Sequence, residues 1–138
     1  MEQPLVQTQY GWVSGRAHED VHSFLGIPYA KPPVGPLRFL PPEPPAPWQG
    51  TRRADAYGDG PIQYAETGFT TIPAYAQDRT LEPPQHFSED CLTLNIWRPA
   101  HSNRPLPVLF WIYGGPMPWA TPLWPYIAAK QWLARVPW

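Results

Sequence analysis

The sequence predicts an α/β protein, with a small antiparallel sheet near the N-terminus, a further strand near residue 92 and then a strand of the kind found at the centre of an α/β sheet. Three observations predict this. Short strand-like stretches lie between Leu5 and Leu25, punctuated by glycine and a charged turn. Further on, Leu92, Leu94 and Ile96 alternate with Thr93, Asn95 and Trp97, the period-two pattern of a strand. Val108 to Tyr113 is an unbroken apolar run ending in Gly114-Gly115, as expected of a strand covered on both faces at the centre of an α/β sheet.

Taken in order, Leu5 to Thr8 and Trp12 to Ser14 read as strands around Gly11, and Val21 to Leu25 as a third, with Arg16 to Asp20 as the turn. Gly26 to Pro47 is proline-rich and reads as irregular chain ordered by packing, with Trp48 as an anchor. Arg52 to Tyr57 reads as a helical turn. Gly58 to Gln85 reads as a long loop, of the kind that carries function or moves. Pro99 to Pro107 is a polar turn before the apolar run, and no internal repeat is present.

Composition narrows the function classes. Ten basic and eleven acidic residues leave a formal net charge of -1, so there is no basic face for nucleic acid or an anionic membrane. The 22 prolines are about three times the ordinary share, which removes backbone donors and disfavours long helices. Eight Trp and seven Tyr argue for a packed chain despite that proline content. The single cysteine, Cys91, has no partner for an internal disulfide. The first residues show no secretory pattern and the longest apolar run is too short to span a bilayer, so the expectation is a cytoplasmic protein.

Four blocks occur in order. The first runs Phe24-Leu25-Gly26-Ile27-Pro28-Tyr29-Ala30, then Pro32-Pro33-Val34-Gly35 and Leu37-Arg38-Phe39. The second is Trp48 with Ala54 downstream, and the third is Ser88-Glu89-Asp90-Cys91-Leu92-Thr93-Leu94-Asn95-Ile96-Trp97. The fourth is Leu106-Pro107-Val108, then Trp111-Ile112-Tyr113-Gly114-Gly115. Over residues 8 to 115 the chain resembles the N-terminal part of the type-B carboxylesterase/cholinesterase family. The resemblance implies an incomplete α/β-hydrolase fold, with the strands at Leu92 and Val108 entering the central sheet. It also implies hydrolysis of a small-molecule carboxylic ester by a Ser-Glu/Asp-His triad, with no cofactor and no metal. Backbone N–H groups would form the oxyanion hole, whose fixed dipoles meet the charge that develops on the carbonyl oxygen.

Carried over residue by residue, the resemblance gives Gly114 and Gly115 to the oxyanion hole, where glycine lets the backbone approach the substrate. The next family position, usually Gly or Ala, is Pro116, which has no N–H to donate. Arg38 and Glu89 match a structural ion pair. Cys91 matches a cysteine whose family partner falls near Pro61, so that disulfide is absent. The loop it would close contains no Trp between residues 61 and 91, which counts against a choline specialist.

Other patterns suggest chemistry but read better as local structure. His18-Glu19-Asp20-Val21-His22 spells H-E-x-x-H, yet that zinc pattern needs a helix to put both imidazoles on one face, and this stretch falls in a hairpin. His86, Ser88 and Asp90 are triad residue types, but two-residue spacing does not supply the linked hydrogen bonds from separate rigid elements that a triad requires. No serine lies in a G-x-S-x-G elbow. Trp111 and Tyr113 fit the packing of a buried strand better than a substrate cleft.

After Gly115 the character changes. Residues 116–138 hold four Trp and five Pro, with no Gly and no acidic residue. Combining the last base of each codon with the first two of the next forces an Ala and then a Gly opposite Pro118 and Ala120, in the register of the family's glycine-rich turn. One missing base near the Gly115 codon explains this. The expectation is therefore residues 1–115 as the opening of a carboxylesterase-like domain and 116–138 as a frameshifted tail. A chain without the family triad's nucleophile, acid and histidine should be an inactive fragment. The alternative is a non-catalytic cholinesterase-like binding or adhesion module; the oligomeric state is not legible.

Overall fold

The computed structural model describes residues 3–62, 86–102 and 104–112. The chain forms two three-stranded sheets. In the first, strand β1 (Leu5–Thr8) pairs antiparallel with β2 (Gly11–Ser14). Their connection is a tight turn in which the Thr8 hydroxyl donates to the Gly11 carbonyl at 2.8 Å and accepts the Tyr10 N–H at 3.1 Å. Strand β5 (Thr51–Arg53) then joins β2 in parallel. The helical turn expected over Arg52 to Tyr57 is absent: Arg52 and Arg53 complete β5, because their backbone is taken up by the free edge of β2, and no helix follows.

The second sheet has β3 (Arg16–His18), β4 (Val21–Pro28) and β6 (Thr93–Pro99) in the order β3-β4-β6, all antiparallel. Arg16 to His18 is a strand rather than part of the turn, which contracts to Glu19 and Asp20, with Glu19 at a positive φ of 34°. The ladder between β4 and β6 shifts register between Phe24 and Ile27, so Leu25 and Gly26 together oppose Asn95. Gly26 has φ +66°, and a Cβ there would lie 2.6 Å from the Ala56 carbonyl oxygen, so glycine is required both by conformation and by space.

That bulge ties the two sheets together. Freed from the ladder, the Leu25 N–H donates to the Ala54 carbonyl at 2.8 Å, while the Ala54 N–H donates to the Ser14 carbonyl at 2.7 Å. Ala54 is buried, and with Val13 and Phe24 it forms the core, flanked by Val6, Ile27 and Trp48. Trp48 is the anchor expected of it. Its N–H donates to the Tyr10 carbonyl, its indole N–H donates to the Trp12 carbonyl at 2.8 Å, and the Arg52 guanidinium lies 5.5 Å above its ring.

The proline-rich stretch after β4 is irregular apart from one 3₁₀ turn at Gly35–Leu37. It is closed on itself by Lys31, whose N–H donates to the Glu43 carbonyl and whose ammonium pairs with the Glu43 carboxylate at 2.6 Å. The run at Val108 departs from expectation. Val108 to Ile112 forms no strand and is 48–89% exposed, because no described strand lies alongside to accept its hydrogen bonds or cover its side chains.

Candidate functional site

The expected chemistry centres on Gly114 and Gly115, which with Tyr113 and Pro116 lie outside the described residues. What the structure describes is the segment that leads into β6, earlier in the chain. Phe87 bridges Gly60 in parallel, and the Ser88 N–H donates to the Gly60 carbonyl at 2.9 Å. The Tyr29 N–H donates to the Leu92 carbonyl at 3.1 Å, which seats the start of β6 beside the end of β4.

Arg38 and Glu89 meet here across 51 residues. The Arg38 Nε donates to Glu89 Oε1 at 2.6 Å and Nη2 donates to Oε2 at 2.5 Å, the two-point geometry that a planar guanidinium makes with a carboxylate. The hydrogen bond from Arg38 holds the Glu89 carboxyl below its usual range, and the same contact raises Arg38. Both side chains are well exposed, 52% and 36%, so the pair fixes position more than it adds stability. It ties the 3₁₀ turn of the proline-rich stretch to the segment that feeds β6. The next residue, Phe39, has φ 60° and is fully exposed.

The serine, histidine and acid near β6 do not assemble. Ser88 Oγ accepts the Asp90 N–H at 3.0 Å in a local turn, and the His86 carbonyl accepts the Gly60 N–H. Cys91 is half-buried; burial raises its thiol pKa and the neighbouring Asp90 raises it further. His18 and His22 stand on the two strands of the β3-β4 hairpin, not on a helix, with His18 opposite Val21 and His22 opposite Ala17. Burial, Arg98 and His101 together lower the His22 pKa. Among the described residues no group of three or more His, Cys, Asp or Glu could hold a metal ion.

Comparison with known proteins extends this geometry. Residues 2–131 match the carboxylesterase family. The chain is 41% identical to the para-nitrobenzyl esterase of Bacillus subtilis, over 83% of this chain and 22% of that protein. It is 41% identical to a pyrethroid hydrolase of Rattus norvegicus (84% and 21%) and 43% identical to the acetylcholinesterase of Bungarus fasciatus (80% and 18%). Among solved structures, a thermophilic para-nitrobenzyl esterase superposes with a TM-score of 0.66 at 40% identity, covering 80% of this chain and 21% of that one. A carboxylesterase of Geobacillus stearothermophilus gives 0.62 at 43% identity, covering 80% and 19%. The chain belongs to the carboxylesterase family. Its two sheets are the N-terminal part of an α/β-hydrolase fold, and it spans about a fifth of the length of these relatives.

The Arg38–Glu89 contact could not have been found from spacing, since 51 residues of proline-rich and irregular chain separate the partners. Ala54 and Asn95 appear in the sequence only as members of family blocks, and their roles are not legible there. Ala54 carries no polar side chain, and it joins the sheets through its backbone. Asn95 reads as one position in an alternating strand, yet its side chain caps the bulge at Gly26.

Proposed function

We propose that this chain is the opening part of a carboxylic ester hydrolase acting through an acyl-serine intermediate, and that residues 1–138 alone do not turn over an ester. The observation that carries the proposal is the family match over residues 2–131 in a chain with no G-x-S-x-G serine. In the complete enzyme, a serine activated by histidine would attack the ester carbonyl, and the alcohol would leave with the proton that histidine carries. The N–H of Gly115 would donate to the developing oxyanion. Gly114 would let the turn pass close to the substrate. The Arg38–Glu89 pair would hold the proline-rich stretch against the segment that feeds β6.

Residues 116–138 fit this reading as a frameshifted tail. Their composition and the glycine recovered in the shifted frame support it, although the family match itself continues across Gly115 to residue 131. The nucleotide sequence tests this directly: the shifted frame downstream should encode an esterase continuation with a nucleophile elbow. Its absence would end the frameshift reading. A continuation with the elbow serine replaced would point instead to a non-catalytic binding module. For activity, purified residues 1–138 should leave a short-chain aryl ester unhydrolysed and take up no serine-directed phosphonate by mass spectrometry. Turnover that the phosphonate abolishes would overturn the inactive-fragment reading.

A further inference from the structure

At one end of the second sheet, β4 and β6 bring together side chains of one sign. His22 and Arg98 stand directly opposite in the ladder, so both lie on the same face. His22 Nδ1 is 3.4 Å from Arg98 Nη2. A guanidinium nitrogen can only donate, so the ring nitrogen facing it is the unprotonated acceptor and the ring proton sits on Nε2. The same register runs one pair further, where the Ala100 N–H donates to the Asp20 carbonyl at 2.7 Å. Among the described residues this is the one backbone bond that ties residues 100–107 to either sheet.

We infer that His22 is a proton-operated latch on this end of the ladder: neutral, it accepts from Arg98 and keeps the Asp20–Ala100 pair shut; protonated, it opens that pair and releases the connection that follows. A proton on Nδ1 sets two donors face to face and replaces a hydrogen bond with a like-charge contact. His101, just beyond the pair, adds a further positive charge when it is protonated. The remaining neighbours do not relieve this. From β3 the ring meets uncharged Ala17, while Arg16 and His18 alternate to the other face. The turn carries Glu19 and Asp20, yet burial and then the charges of Arg98 and His101 are what bear on the ring, and all three disfavour its protonated form. Opening relieves them together, so the open end binds the proton more readily and acid drives the opening. The latch rests on β4 and β6 and is independent of the ester-hydrolase reading.

The test is amide hydrogen exchange by nuclear magnetic resonance in residues 1–138, each rate divided by that of an unstructured amide at the same pH. Opening at Ala100 should rise between about pH 7.5 and 5.5 by at least about twofold and at most about tenfold, the limit reached if the closed ring stays neutral. This window lies above the carboxylate range, so Glu89 and Asp55 stay charged across it. Ala100 should be less protected than Gly26 at every pH, because a local opening costs less than dismantling the ladder. His22→Asn offers Arg98 an acceptor that takes no proton, and its Ala100 amide should not respond to pH. His22→Gln serves the same purpose with a longer side chain. Arg98→Gln removes the opposing charge and should shrink the rise. Ala100 protection that is constant with pH in the parent, the parent's rise persisting in both His22 variants, or equal protection at Ala100 and Gly26 would each overturn the inference.

Discussion

Asn95 Oδ1 accepts the Gly26 N–H at 2.9 Å, so a side chain on β6 completes the backbone of a bulge 69 residues earlier. The ladder cannot supply this acceptor, because two residues of β4 oppose one of β6 at that point. Asn95→Ala should cost about 1 kcal/mol, read as a lower urea midpoint, and the Gly26 amide should lose its protection from hydrogen exchange. Asn95→Asp keeps an acceptor and should retain most of that protection. If the alanine variant leaves exchange at Gly26 unchanged, the contact does not hold the bulge.

Ser23 gives a contrasting expectation. It is 3% exposed and its Oγ has no hydrogen-bond partner among the described residues. Replacing it with alanine removes an unsatisfied hydroxyl without opening much space. Ser23→Ala should therefore keep or raise the urea midpoint, whereas Val13→Ala, in the core, should cost on the order of 2 kcal/mol. A marked loss in Ser23→Ala would show that the hydroxyl is bonded after all.

Acid should loosen the molecule through two carboxylates. Arg38 holds the Glu89 carboxyl low, and Arg53 does the same to Asp55 through hydrogen bonds at 3.0 and 2.5 Å. A folded pKa below the unfolded one means that the unfolded chain takes up protons first. The stabilisation is thus complete above about pH 4.3, near the unfolded carboxyl values, and is lost as pH falls through the lower folded values. Urea midpoints measured across this window should decline less steeply in Glu89→Gln.

His22 acts in a higher window. Burial, with Arg98 and His101 nearby, disfavours its charged form in the folded state. Stability should be full above about pH 6.5 and fall below it until His22 is also protonated in the folded molecule. His22→Asn should flatten this step, which nuclear magnetic resonance titration of the ring can locate independently.

Cys91 should be a slow nucleophile. Burial and Asp90 raise its thiol pKa, so less thiolate exists at a given pH than in a free cysteine. Alkylation by iodoacetamide at mildly alkaline pH should be slower than for a small thiol under the same conditions, and should reach the small-thiol rate in denaturant. Faster labelling in the folded chain would contradict the assigned environment.

What could be read from the residues follows the range of the interactions. β1, β2 and β6 are visible because alternation and a nearby glycine turn are local signals. β5 was hidden because Thr51, Arg52 and Arg53 are all exposed and show no alternation; a remote partner, β2, makes them a strand. Arg16 to His18 was hidden by its charge, which suggested a turn. Val108 to Ile112 carries the composition of a central strand, yet composition alone does not supply the neighbours that make one. At the site, Arg38, Glu89 and the two glycines came from resemblance to a family, since no local pattern links positions so far apart. Ala54 and Asn95 emerge only once the bulge is seen, because their roles belong to the geometry and not to residue type.

The double attachment of Ala54 also has a meaning in time. A ribosome releases the N-terminus first, yet β2 must wait for residues 51–53 before its second edge is covered, and β4 must wait for residues 93–99. Ala54 emerges between these events, and its bonds to Ser14 and Leu25 need nothing beyond residue 54. The first sheet can therefore close while the second is still half synthesised, and its closure holds β4 in place until β6 arrives.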